Sequence, residues 1–221
     1  MSLTSIGLSP ELGEYVVAHS TPSDELLLRI ERETADLGDL AVMQTAPEQA
    51  ALLELLVRVS GSRRALEVGT FTGYGAVRIA RGLAADGTLL CLELEQRWAD
   101  MAAANLRADG MAQHVEIRVG PALEALRAMP AEPQFDFAYL DADKGAYPDY
   151  YEEIVRRLAA GGLLAIDNVL ASGRVLDPQD GDVRAVAELN ERIPCDERVD
   201  AVMVPVGDGM TLVRRRSGKR S

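Results

Sequence analysis

Cysteine, histidine and lysine are nearly absent from this sequence, each occurring twice in 221 residues. Cys91 lies in an apolar run and Cys195 in a polar one; two such residues offer no disulfide framework and no zinc-type ligand spacing, so both are read as packing or surface residues. The sequence contains no run of eighteen apolar residues that could offer a membrane span. The N-terminus, MSLTSIGLSP, lacks the basic and apolar regions of a signal peptide, which makes the cytoplasm the expected location. Positive charge is scarce as well: 23 basic against 35 acidic residues give a net charge of -12. That argues against a large basic face of the kind nucleic acid requires. The one local exception, the tail RRRSGKRS, is short and terminal and reads as a solvated, disordered end.

What is present is the pattern of one α/β domain. The length fits a single domain with a full core, divided here into an N-terminal helical segment (1–60), a core (61–216) and a tail (217–221). Thr21, Pro22 and Asp24 read as an N-cap, first-turn proline and acidic first turn of a helix with Leu26, Leu27 and Ile30 on one face. Thr45 and Glu48 have capping-box spacing, opening a second helix that runs through Leu52, Leu53, Leu56 and Val59 to a stop at Gly61. Strands are expected at 64–69, 88–94, 115–120, 135–143 and 163–169, with helices at 73–85, 95–110, after Pro121 and at 147–162. Apolar strands separated by helices indicate a parallel sheet covered on both faces. The ending, RVDAVMVPVGDGMTLVRR, has two β-rich runs split by Gly207-Asp208-Gly209, a hairpin that closes the sheet edge with antiparallel strands. The irregular stretch from Val169 to Val183 is a candidate wall near the site.

In an open parallel sheet, ligands bind beyond the carboxyl ends of the strands. The first strand ends in EVGTFTGYG, whose glycines Gly69, Gly73 and Gly75 have the spacing G-x-x-x-G-x-G, not the G-x-G-x-x-G of dinucleotide binders. Glu93, at the end of the second strand, is placed to accept hydrogen bonds from ribose hydroxyls. Glu67 suits a cationic ligand better than a pyrophosphate, which it would repel. S-adenosylmethionine fits, with its ammonium, sulfonium and ribose. Taken singly, these residues also read as a capping carboxylate, an ordinary tight turn and the opening of a helix.

The stretch YLDADKGAYPDYY holds Lys144, the one lysine outside the tail. Asp141 and Asp143 end the fourth strand and Asp167-Asn168 the fifth, and adjacent strands lie about 4.8 Å apart. Two carboxylates and an amide oxygen form a hard donor set suited to Mg²⁺, Mn²⁺ or Ca²⁺. The bland alternatives are a turn pair for Asp167-Asn168 and a surface ion pair between the aspartates and Lys144.

The segments EVGTFTGYGAVRIA, LELEQRWADMAAANL, VGPALEAL, FAYLDADKGAYPDYY, LLAIDNVLASGRV, ELNERIPCDERVD and PVGDGMTLVRR, running from about residue 40 to 216, resemble the cation-dependent, S-adenosylmethionine-dependent O-methyltransferases that act on catechols and caffeoyl-type phenols. The resemblance implies a Rossmann-like class I methyltransferase fold with a seven-stranded, mostly parallel sheet. It implies Asp141, Asp167 and Asn168 as metal ligands, and Lys144, with Asp141, as catalytic. The implied cofactor contacts are Met43, Glu67, Gly69, Thr70, Phe71, Tyr74, Gly75, Glu93, Leu94, Pro121, Ala122 and Asp141. It further implies a small phenolic substrate, with a vicinal diol on the metal, and a homodimer. Two positions depart from the pattern. Gly75 stands where many members carry a serine, and GAY follows Lys144 where plant caffeoyl-CoA enzymes have Asp-Asn-Tyr. Two alternatives stay open: a methyltransferase of hydroxylated uridine in tRNA, and an NAD-binding Rossmann protein.

Overall fold

A computed structural model describes residues 8–217. Residues 218–221, most of the tail expected to be disordered, lie outside the described residues. Helix α1 (Pro10–Ala18) is capped by Ser9, and α2 (Glu25–Ala35) by Asp24, whose carboxylate accepts from Leu27 N at 3.1 Å. Asp24, not Thr21, is therefore the cap. Leu27 and Ile30 are buried, as the spacing indicates. Helix α3 (Pro47–Ser60) starts one residue later than the Thr45–Glu48 pattern suggests: Ala46 is the N-cap, and its N–H donates to Gln49 Oε1 at 3.3 Å. Thr45 instead directs its hydroxyl to Tyr139, 3.1 Å away. Gly61 ends α3 in the left-handed region, φ 63°. Leu53 and Val57 are buried, whereas Val59 is exposed and not part of the packed face.

The core alternates β1 (Arg64–Val68), α4 (Tyr74–Gly82), β2 (Thr88–Glu93), α5 (Gln96–Ala108), β3 (Val115–Val119), α6 (Ala122–Ala128), β4 (Phe135–Leu140), α7 (Tyr147–Arg157), β5 (Leu158–Ile166), α8 (Gly181–Arg192), β6 (Val199–Val204) and β7 (Met210–Arg215). The seven strands lie in the order β3-β2-β1-β4-β5-β7-β6. The first five are parallel and β7 pairs antiparallel with both neighbours. The expected hairpin and seven-stranded mixed sheet are both present. Residues 158–162, expected to finish a helix, open β5 instead, where Leu158 pairs with Phe135 across a register shift.

Side chains alternate across the sheet. Leu66, Val68, Ala138 and Leu140 pack with α6, α7 and α8; Ala65, Phe137 and Tyr139 pack with α2, α3 and α4. Register places Cys91, Glu67, Tyr139 and Ala165 side by side in one row across β2, β1, β4 and β5. Strand order reverses at β1, whose neighbours are β2 and β4, so the loops leaving these two sides diverge and leave a crevice at the carboxyl ends.

Candidate active site

The crevice is a cavity of ≈ 750 Å³, and every catalytic, cofactor and metal residue implied by the family resemblance lines it, whereas Gly73 of the glycine turn packs against Ala102. The β1 loop contributes Glu67 and Gly69 to Phe71, with Tyr74 and Gly75 opening α4; the β2 end contributes Glu93 and Leu94; the β3 end, Pro121 and Ala122; the β4 end, Asp141 and Lys144; the β5 end, Asp167 and Asn168. Met43 closes the cavity from the 3-10 turn Gly38–Met43. The expected wall between Val169 and Val183 contributes no lining residue. Leu170 N donates to Asp208 O at 3.0 Å and Ser172 N to Asp208 Oδ1 at 2.7 Å, which ties that segment to the β6–β7 turn.

The β1 turn is held by an acid. Glu93 Oε2 accepts from Thr70 N at 3.0 Å and Phe71 N at 2.8 Å, and Oε1 accepts from Glu95 N at 2.9 Å. These bonds hold Phe71 at φ 50°, a left-handed value unusual for a bulky residue. Phe71 meets Trp98 edge-on at 4.6 Å, and both rings line the cavity. Gly69, at φ 85°, admits no Cβ because it would lie 2.0 Å from Asp141 O. The space beside Gly69 is filled by the chain's own β4 loop.

Glu67 is 1% exposed. Burial pushes its carboxyl up to about 8, with the charges of Asp141 and Glu93 adding to the shift. Cys91 Sγ donates to it at 3.4 Å. A Cβ on residue 75 would lie 2.8 Å from Glu67 Oε1, so Gly75 makes room for this carboxyl. A Gly75→Ser variant should displace it and weaken cofactor affinity, measured by calorimetry. Between the ordinary value of 4.5 and about 8 the folded chain holds a proton that the unfolded chain has released, so stability falls as pH rises through that window. The unliganded protein should melt at a lower temperature at about pH 8 than at about pH 5, and Glu67→Gln should flatten that slope.

At the β4 and β5 ends, Lys144 Nζ donates to Asp141 Oδ1 at 2.8 Å and to Tyr147 OH at 2.8 Å; Tyr147 OH donates in turn to Asp167 O at 3.2 Å. Asp143 is exposed, and its Oδ1 accepts from Tyr150 OH at 2.8 Å. Asp167 is 1% exposed; burial, then the charge of Asp141, pushes it up to about 6. Asn168 sits at φ 54°. Among the described residues no group of three or more His, Cys, Asp or Glu is arranged for a metal. The candidate set is therefore two carboxylates and the Asn168 amide, all oxygen, which fits a hard dication that would offset the mutual repulsion of the aspartates.

Sequence reasoning missed Gln44, Thr45, Gln49 and Trp98, all of which line the cavity. Gln49 was detectable: it shares a helix face with Leu53 and Val57, at i, i+4 and i+8, and a polar residue on a buried face signals a specific partner. The buried oxygens Gln44 Oε1 and Thr70 Oγ1 have no hydrogen-bond partner. Orphaned acceptor oxygens beside the Glu67 carboxyl fit a cavity shaped for a cationic, hydrogen-bond-donating cofactor.

A family model described as O-methyltransferase matches residues 17–216. Tricin synthase 2 of Oryza sativa subsp. japonica is 34% identical over 94% of this chain and 75% of its own length. Caffeoyl-CoA O-methyltransferase 1 of Zea mays is 31% identical over 94% and 85%. Among solved structures, the O-methyltransferase TomG of Streptomyces achromogenes, involved in tomaymycin synthesis and solved with S-adenosylmethionine, superposes with a TM-score of 0.86 at 32% identity, covering 94% of this chain and 96% of its own.

Proposed function

This chain belongs to the S-adenosylmethionine-dependent O-methyltransferase family, and from that premise we propose that it methylates one hydroxyl of a catechol-type small molecule. In this reading Asp141, Asp167 and Asn168 hold a divalent cation, Mg²⁺ by preference, and Lys144 is the base. The supporting observation is the convergence of one lysine with these three oxygen-bearing side chains at the β4 and β5 ends of one cavity.

A phenol loses its proton only near about pH 10 and is a poor nucleophile at neutrality. When bound, the dication supplies charge that favours the phenolate and S-adenosylmethionine supplies the sulfonium methyl. Lys144 in its neutral form accepts the phenolic proton; Asp141 and Tyr147 hold its Nζ at the cavity edge. Arginine could not replace it, because a guanidinium does not release its proton. Glu67 faces the cofactor's cationic group, and the edge-on Phe71–Trp98 pair adds apolar ring surface to the cavity lining. Much of the acceleration would come from placing nucleophile and methyl group in line.

Charge narrows the substrate. The lining includes six carboxylic acids and a single cationic residue, Lys144. A coenzyme A thioester or tRNA brings phosphates that need arginine or lysine partners. Free catechol should therefore be methylated in preference to a caffeoyl thioester when both are assayed with Mg²⁺; preferential turnover of the thioester would overturn this choice. A homodimer belongs to the same proposal. Helix α1 buries none of its residues and exposes Leu12, Tyr15, Val16 and Val17, an apolar face that a second copy would cover.

A further inference from the structure

We propose that Gln49 and Tyr139 are positioning residues for Asp167, which they leave with one lone-pair site for a cation. The inference rests on the reading of Asp167 as a cation ligand. Its Oδ1 accepts from Gln49 Nε2 at 2.7 Å and from Asn168 N at 2.6 Å; its Oδ2 accepts from Tyr139 OH at 2.6 Å. A carboxylate has about four lone-pair sites. Oδ1 is fully used, and the remaining site is on Oδ2. Asp167 can then meet a cation through one oxygen only, in a fixed orientation.

The two side-chain donors come from outside the strand that carries Asp167. Gln49 belongs to the first turn of α3, and Tyr139 stands two residues before Asp141 on β4. The Gln49 amide has one workable orientation. Its Nε2 also donates to Val206 O at 3.3 Å, and its Oε1 accepts from Ala46 N at 3.3 Å. Turned over, it would set its oxygen against a carboxylate and a carbonyl. Gly207 closes over it, since a Cβ there would lie 2.3 Å from Gln49 Cδ. Tyr139 is steadied by the Thr45 hydroxyl at 3.1 Å. The N-terminal helix, the β6–β7 turn and β4 thus clasp a single carboxylate, which gives the PVGDG segment a task beyond turning the chain. A methionine would fill the space of Gln49 and a phenylalanine that of Tyr139; what the native residues add is the donor. Partners of this kind outside the ligand set fix the orientation of a ligand and its strength.

The test is a Mn²⁺ titration of the full chain saturated with S-adenosylhomocysteine, following the paramagnetic resonance signal of free Mn²⁺. Gln49→Met and Tyr139→Phe should each weaken Mn²⁺ binding by about 10–100-fold, with S-adenosylhomocysteine affinity unchanged. Asp167→Asn is the control. If it binds Mn²⁺ as tightly as the parent, the reading of Asp167 as a ligand fails. If it loses Mn²⁺ while Gln49→Met and Tyr139→Phe keep the parent affinity, the positioning inference alone fails. Should Gln49→Met not fold, Tyr139→Phe carries the same test, because it removes one hydroxyl from a packed ring.

Discussion

Lys144→Met should lower the methylation rate by about two orders of magnitude or more while leaving S-adenosylmethionine affinity near that of the parent. The reason lies in what surrounds Nζ. Its hydrogen-bond partners are Asp141 Oδ1 and Tyr147 OH, each at 2.8 Å, and its side chain keeps 27% of its surface open. Methionine retains most of the volume and can take no proton. Lys144→Arg separates a base from a mere counter-charge: arginine restores the ion pair with Asp141 but cannot act as a base. Both variants should be slow in single-turnover assays. Recovery in Lys144→Arg alone would make the residue electrostatic, and parent-like turnover in Lys144→Met would remove it from the chemistry.

The second large effect is expected from chelation. EDTA should abolish turnover, and Mg²⁺ or Mn²⁺ should restore it. Asp141 and Asp167 share the end of two adjacent strands, and the charge of Asp141 contributes, after burial, to pushing Asp167 up to about 6. Two such acids repel each other unless a cation stands between them. Cofactor affinity should survive chelation, because Glu67 and the turn after β1, and Glu93 on β2, are not among the candidate cation ligands at the β4 and β5 ends. Undiminished methylation in metal-free protein would sink the metal assignment.

The strands and the carboxyl-end site were legible because both depend on local pattern: apolar runs set the sheet, and the loops after β1, β2, β4 and β5 fall at one edge once the strands are parallel. What was not legible depends on partners distant in sequence. Thr45 has the residue type of a cap, but its hydroxyl goes to Tyr139, 94 residues away. Glu93 fits a ribose acceptor, yet in the fold three of its bonds hold backbone amides. Asp143 turns from Lys144 to Tyr150. Residues 158–162 extend a helical pattern until β4 offers Leu158 a strand partner. In each case a tertiary contact outweighed a local preference.

The most direct measurement of the central claim compares catechol with an isolated phenol as methyl acceptor, each assayed with Mg²⁺ and with EDTA, and identifies the products. The expected result is mono-methylated catechol only when Mg²⁺ is present and little reaction of the isolated phenol in either condition. Equal methylation of the isolated phenol in EDTA would contradict it.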